Sequence, residues 1–595
     1  MSKWTIAAKR ADFNEIANKY GISPVLARLI RNRDVITDEE IDMYLNGDIN
    51  NLHDPRSMMD LVKACSLIQQ YISEGKNFRI IGDYDIDGVC ATYILMKGLE
   101  KCGADVDYAI PHRIQDGYGL NENLIDDAHN QNRDVIITCD NGIAASSAIA
   151  HAIELGMHVI VTDHHEVPFE EDDETGERIE LLPSAEAIVD PKRDGDNYPF
   201  SGICGAVVAW KLISVLLPMC GVGVDESEEL KDSLLEEAAL ATVGDVMELR
   251  NENRIIVKEG LQRLMHTNNI GLKSLIRATE LSGKIITAYH VGFIIGPCLN
   301  ASGRLDTAAR ALELLLCEDE VRAAQMANEL KNLNVTRKSM TEQGVALAVE
   351  DIENSTIGND RVLVLYLPGI HESIAGIIAG RIREKYEKPV IVMTDTLEGI
   401  KGSGRSIEAY DMFEELSKHK ELYTKFGGHK MAAGLSMDMD NLEIFRRELN
   451  NSCTLRDEDL VTKIVIDQEL PLGYITYSFI EELSMLEPFG NGNTKPVFAI
   501  RGLKVRKISI IGKNRNLLLV KVDDCANGGS YELKLFNKVD QFLNDADEFY
   551  GQGTAGDMSD GTVSGVTVDI IYYPSINEYM GRRSLEFIVN DYRFK

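Results

Sequence analysis

The sequence predicts an α/β protein organised around a parallel β-sheet. Two observations carry the prediction. Short β-branched apolar runs recur four times in the first two hundred residues, and each ends in an acidic turn. Helix-like stretches separate them, so the units read as βαβ and the strands as parallel. A length of 595 residues exceeds one domain and calls for three or four, and 44% hydrophobic content is ample to give each a core.

In chain order, the residues up to about 53 read as helical, with Thr37 as an N-cap ahead of Asp38, Glu39 and Glu40. Phe78-Arg79-Ile80-Ile81 then leads into Gly82-Asp83-Tyr84-Asp85-Ile86-Asp87-Gly88, and Val135 to Thr138 into Cys139-Asp140-Asn141-Gly142. Val159 to Thr162 leads into Asp163-His164-His165, and Ala187-Ile188-Val189 into Asp190-Pro191. Open parallel sheets bind ligands outside the carboxyl ends of their strands, where all of these acids fall. Converging carboxylates repel unless a cation neutralises them, and the paired histidines add nitrogen ligands. The pattern therefore draws a divalent-metal site, read as a two-metal one. A lone Asp after a strand is more often a turn former or cap, and Asp190 before Pro191 reads equally well that way. Asp83 to Gly88 also matches the opening of a calcium loop, but that loop needs a glutamate at its twelfth position, here Ile94, and a helix before it.

Further along, the apolar run Ala206 to Val224 is broken by Lys211 and Pro218, so it reads as a buried helix and not a membrane span. From Val321 to Asn354 there is no proline, and Met326, Leu330, Leu333 and Met340 keep helical spacing. A helix of that length, about 50 Å, suits a strut between two lobes unless Gly344 ends or bends it. Val362 to Leu365 starts a second α/β lobe. The Gly- and Asp-rich stretch Gly551 to Gly561 reads as a mobile loop.

The net charge of −33 is unfavourable for binding phosphates, so its distribution matters. From Lys495 to Lys521 there are eight basic residues and no Asp or Glu, in a stretch that alternates like β-strands. Ten cysteines without a C-x-x-C pair argue against structural zinc and for a reducing compartment. With no apolar signal region after Met1, the expected location is cytoplasmic.

GDYDIDG, TCDNG, TDHHE and ATVGDVMEL resemble the four motifs of the DHH phosphoesterase superfamily, and the layout is similar to the RecJ-type single-strand-specific exonucleases. Pro297 to Leu305, His371 to Arg381, Gly402 to Ser406 and Phe426 to Leu435 resemble the partner domain DHHA1. The resemblance implies a helical segment at 1–53, a DHH catalytic domain at 54–320 and a connecting helix at 321–354. A DHHA1 substrate-binding domain at 355–452 and a C-terminal OB-fold β-barrel at 453–595 complete it. Asp85, Asp87, Asp140, His164 and Asp245 become metal ligands, with Asp140 as the bridge. His165 is either a ligand or a phosphate contact. Asp83 and Asp163 either bind metal or orient the groups that do.

For the second lobe, the glycine-rich segments Gly402 to Arg405 and Gly427-Gly428-His429 read as turns whose backbone N–H groups approach phosphates. Arg113, Arg304 and Arg405, with Ser403, are candidates for gripping a terminal 5′-phosphate, and His371 is the weakest candidate. Lys504, Arg506, Lys507, Lys513 and Arg515 are the candidate DNA contacts of the barrel. The implied activity is 5′-to-3′ hydrolysis of single-stranded DNA in recombination and repair by a monomer. Mn²⁺ is favoured over Mg²⁺, as two ions, with a single-strand-binding protein and a helicase as partners. Two rivals remain: a small-substrate DHH phosphodiesterase acting on oligoribonucleotides or cyclic dinucleotides, and a non-catalytic DHH-fold replication scaffold.

Overall fold

A computed structural model describes residues 2–595 apart from Gln115, Tyr118, 173–175, Glu177, 397–398, Lys513 and Met580. The chain forms two compact units, one from Asp48–Val461 and one from Met1–Gly47 together with Thr462–Lys595.

The first unit contains a five-stranded, wholly parallel sheet. Its spatial order is Asp105–Ala109, Asn77–Gly82, Val135–Cys139, His158–Thr162, Ala187–Val189. The inner strands are buried along almost their whole length, which is why they read as continuous apolar runs and not as alternating ones. The register aligns Gly82 with Cys139, Cys139 with Thr162 and Thr162 with Val189. Asp83, Asp140, Asp163 and Asp190 therefore each follow the last residue of one row across four neighbouring strands.

Helix Ile86–Lys101 leaves the first of these turns and is covered by helices Gly205–Met219 and Val224–Gly244. The apolar run with its embedded lysine is thus an internal helix, with Pro218 in its last turn. Among the described residues no helix is long and apolar enough to cross a membrane. Lys211 is fully buried and paired at 2.8 Å with the equally buried Glu252, which also accepts a bond from the Tyr198 hydroxyl. Removing one charge strands the other in the interior. Lys211→Met is therefore expected to destabilise this unit by about 3–5 kcal/mol, whereas Lys211→Met with Glu252→Leu should recover most of the loss. Denaturant unfolding of the two variants checks this, and equal losses would contradict it.

Helix Glu320–Asn354 runs unbroken for 35 residues. Gly344 does not end it. A Cβ there would stand 2.3 Å from Ile378 Cδ1 on helix Glu372–Tyr386, so the glycine marks a close helix–helix approach. The second lobe carries a mixed sheet in the order Lys425–His429, Ala432–Met437, Gly399–Arg405, Val390–Thr396, Leu363–Tyr366, with only the last pair parallel. Both glycine-rich segments expected to be turns are strands. Gly402 and Gly404 lie where a Cβ would meet the sulfurs of Met393 and Met412 at 2.2 and 2.3 Å, so these glycines admit core methionines.

In the other unit, five strands close into a barrel. They run Phe498–Ile511, Leu517–Asp523, Ser530–Phe536, Arg582–Phe594, Thr567–Tyr579 and back to Phe498–Ile511, with one parallel pair. Closure leaves no free edge around the ring. Leu26, Leu29 and Ile30 of the N-terminal helix Pro24–Asn32 share the barrel's core. Thr37 caps helix Asp38–Asn46 in a reciprocal capping box with Glu40. The first 53 residues are not all helical, because Lys3–Ile6 forms a parallel strand with Lys463–Ile466, a partner too remote in sequence to be foreseen. The expected mobile loop at Gly551 to Gly561 holds helix Thr554–Asp560, pinned by buried Met558.

Candidate active site

The carboxylates at the strand ends form one cluster. Asp85 caps helix Ile86–Lys101, its Oδ1 accepting from the Asp87 and Gly88 amides at 2.9 and 3.2 Å. A Cβ on Gly88 would stand 2.4–2.6 Å from the Asp83 backbone, so the turn closes only around glycine. Asp87, in the first turn of that helix, accepts from the amides of Gly205 and Ala206, both at 2.7 Å. It thereby caps helix Gly205–Met219, which has no side-chain cap of its own. Gly205 lets that helix press onto Asp140, where a Cβ would come within 2.8 Å of the Asp140 Cβ. Asp140 itself sits at φ +59°, a left-handed conformation that Asp tolerates better than most residues.

His164 is the centre of the group. Its Nε2 lies 3.0 Å from Asp140 Oδ1, 3.4 Å from Asp87 Oδ2 and 3.9 Å from Asp245 Oδ2. Asp245 reaches the cluster from just beyond helix Val224–Gly244. His165 Nδ1 is 2.7 Å from Asp163 Oδ1 and 3.9 Å from Asp140 Oδ1. Asp163 accepts from the amides of Ile143, His164 and His165 as well as from the His165 ring, so its lone pairs are spent on orienting this turn. Three sets, Asp140–His164–His165, Asp87–His164–Asp245 and Asp83–Asp85–Asp140, each bring their ligand atoms within 4.8 Å of one another.

The electrostatics describe a site short of positive charge. Burial first, then neighbouring carboxylates, pushes Asp83, Asp85 and Asp140 above the usual carboxylate range, and Asp245 up to about 8. Asp190 rises to about 7, chiefly through burial and then through Asp163. Burial lowers His164. His165 goes the other way, up to about 9, because its bond to Asp163 and the surrounding acids outweigh desolvation. That same bond and the Ile143 amide hold Asp163 low against its own burial. Asp83 Oδ1 and His164 Nδ1 are buried without a hydrogen-bond partner among the described residues. Orphaned lone pairs amid converging carboxylates and imidazoles fit a divalent cation.

Across from the acids, within the same unit, is a group of guanidinium ions. Arg304, on helix Gly296–Leu305, donates to the Ser373 carbonyl at 2.8 Å. Arg405, on the strand face that also carries Ser403, donates to that hydroxyl at 3.3 Å and to the Gly404 carbonyl at 2.7 Å. Gly376 makes room for it, since a Cβ there would stand 2.8 Å from the guanidinium. Arg113 lies over the Tyr84 ring, 4.5 Å from its centroid. Burial, then the charges of Arg113, Arg337 and Arg405, pulls Arg304 below the usual arginine range. None of these four arginines has a carboxylate within 4 Å among the described residues, although a guanidinium remains charged in proteins. Arg337 is the member that sequence reasoning passed over. It sits mid-helix in a polar stretch, and only the fold turns it toward the others.

The other candidates are more scattered. His371 caps helix Glu372–Tyr386, accepting from the Ser373 amide at 3.4 Å. Gly427, Gly428 and His429 are exposed on an edge strand, where Gly428 at φ +153° has no room for a side chain. On the barrel, Lys504, Arg506 and Lys507 share strand Phe498–Ile511 with a bulge between Val505 and Lys507. Arg506 is paired with Asp523, and Lys507 lies directly opposite Lys521. Arg515 is exposed in the following turn, and Lys513 lies outside the described residues.

Comparison with known proteins matches three family models. They are the N-terminal domain of the DHH family at residues 77–244, the DHHA1 domain at 359–454 and the RecJ OB domain at 466–591. The single-stranded-DNA-specific exonuclease RecJ of Bacillus subtilis is 34% identical, over 99% of this chain and 70% of its own. The RecJ of Escherichia coli is 31% identical over 99% of both chains. The structure of Thermus thermophilus RecJ in complex with Mn²⁺ superposes with a TM-score of 0.79 at 26% identity, covering 99% of this chain and 79% of that one. A Mg²⁺ complex of the same protein gives 0.74 at 26% identity, over 99% and 78%. The three matched models follow one another along the chain as the parallel-sheet domain, the second lobe and the closed barrel do, and the chain belongs to the RecJ family of DHH phosphoesterases.

Proposed function

We propose that this protein is a divalent-metal-dependent exonuclease that removes nucleotides from the 5′ end of single-stranded DNA, serving recombination and repair. The observation that carries this reading is the pairing, in one unit, of a buried carboxylate–imidazole cluster with a set of arginines lacking carboxylate partners. The first suits cations that activate water toward a phosphodiester, and the second suits the anionic strand that presents one.

Asp85, Asp87, Asp140, His164 and Asp245 would hold the metal, with His165 as a further nitrogen and Asp83 at the rear of the cluster. Mixed nitrogen and oxygen donors favour Mn²⁺ over Mg²⁺, and overlapping ligand sets sharing His164 and Asp140 suit two ions. Bound there, a divalent ion stabilises charge on the phosphate and makes water a competent nucleophile at neutral pH. The chain's own part is placement. Asp163 fixes both histidines, Asp87 ties the cluster to a helix end, and Arg304, Arg405 and Arg113 hold the terminal phosphate. Ser403 steadies Arg405.

End-labelled single strands, duplexes and RNA, each with 5′-phosphate or 3′-phosphate ends, incubated with Mn²⁺, Mg²⁺ or EDTA, test the reading. The expected result is release of nucleotides from the 5′ end of single-stranded DNA, fastest with Mn²⁺ and absent in EDTA. Cleavage confined to dinucleotides would move the small-substrate rival into its place.

The barrel contributes strand capture in this reading. Neutralising Lys504, Lys507 and Arg515 together should flatten the plot of log affinity against log salt by roughly 2, at about 0.7 per phosphate contact. An unchanged slope would assign these residues to the surface of the fold alone.

A further inference from the structure

The mechanism leaves one conspicuous feature unused. Tyr289 and Phe293 are 59% and 64% exposed, yet their rings stack on each other with centroids 4.9 Å apart and planes at 27°. Single exposed apolar residues are ordinary, but a preformed aromatic stack held open to solvent is not. The backbone beneath it is locally braced. The Thr287 amide donates to His290 Nδ1 at 3.1 Å, and Val291–Ile295 is a π-helical turn, a local widening frequent at functional sites.

The stack is built onto the reaction centre. Gly292, between the two rings, faces Val243, two residues before Asp245, where a Cβ would stand 3.8 Å from the valine Cγ1. Gly296 faces Ile86, which separates Asp85 from Asp87, where a Cβ would stand 3.3 Å from the isoleucine Cδ1. The same helical segment continues through Gly296–Leu305 to Arg304. Eleven residues separate Phe293 from Arg304, about 16 Å of helix. At about 3.4 Å per stacked nucleotide, that is the reach of up to about five nucleotides.

We propose that Tyr289 and Phe293 form a base-stacking platform for the single-stranded substrate, receiving bases within about five nucleotides of the end gripped at Arg304. The inference rests on the functional reading above, and it adds a site that recognises single strands through their unpaired bases. Every base offers a π-face, so the platform is sequence-tolerant, and it works only on bases free of a duplex. A protein partner on the same rings is the competing occupant, but the continuity of the platform with Asp245, Asp85 and Arg304 favours the substrate.

The test uses the full-length protein, wild type and Tyr289→Ala, Phe293→Ala and Tyr289→Trp variants. Substrates are a 5′-phosphorylated oligodeoxythymidylate and the same strand with abasic residues at nucleotides one to six. Binding is read by fluorescence anisotropy in EDTA and cleavage separately with Mn²⁺. Either alanine variant should weaken binding of the intact strand roughly 5- to 150-fold and raise KM with little change in kcat. The abasic strand should penalise the wild type by a similar factor and the alanine variants hardly at all, and Tyr289→Trp should keep wild-type binding. Equal losses for the alanine variants on both strands, or no loss on either, would overturn the proposal. A wild type that cleaves no strand while the anisotropy pattern holds would overturn the functional reading and leave the platform standing.

Discussion

Asp140→Asn and His164→Ala should each abolish hydrolysis while leaving the fold and strand binding largely intact. Both residues lie at strand ends beyond the core, and both appear in two of the three ligand sets. Asparagine is the cleaner replacement at Asp140, because φ is +59° there and alanine would add strain unrelated to charge. Metal affinity should fall by more than 10-fold, since losses of that order already follow when groups merely supporting a ligand are removed. Calorimetric titration with Mn²⁺ and an end-labelled cleavage assay check this. Near wild-type turnover at saturating Mn²⁺ would make the assignment wrong. The same carboxylates predict a pH signature in metal-free protein. Asp83, Asp85, Asp140 and Asp245 are all raised above their unfolded values, so the folded state holds protons that the unfolded state has released. Stability from these groups is then present at low pH and lost as pH climbs from about 4 toward 8. The melting temperature of the metal-free protein should fall across that window, Mn²⁺ should restore it, and Asp140→Asn should show a shallower decline.

The second large effect concerns the strand end. Arg405→Ala should penalise 5′-phosphorylated strands far more than 5′-hydroxyl ones, shrinking the preference roughly 10- to 100-fold, the worth of a charge-assisted hydrogen bond. Arg304→Ala should do the same, with an additional loss common to both substrates because its bond to the Ser373 carbonyl ties helix Gly296–Leu305 to the second lobe. Competition between the two strands in one reaction measures the ratio directly. Equal losses on both substrates for Arg405→Ala would mark it as structural.

What the sequence by itself determined is local. Four of the five strands of the parallel sheet announced themselves as β-branched runs with an acid immediately after each, because strand ends and turn chemistry are written in consecutive residues, whereas the edge strand Asp105–Ala109 carries no such run and went unread. The long helix was legible for the same reason, and the alternation from Lys495 to Lys521 betrayed two of the barrel's five strands. Tertiary structure decided which of these local features face one another. It gave Asp163 the Ile143 amide on the neighbouring strand's turn, and Asp87 the end of a helix more than a hundred residues away. It turned Gly402, Gly404 and Gly344 from apparent turns and breaks into points of close packing, a distinction that depends on the opposing side chains. It also drew Arg337 toward Arg304 and left Tyr289 and Phe293 stacked in solvent. Proximity between residues distant in the chain follows from how elements pack, and no window of sequence contains it.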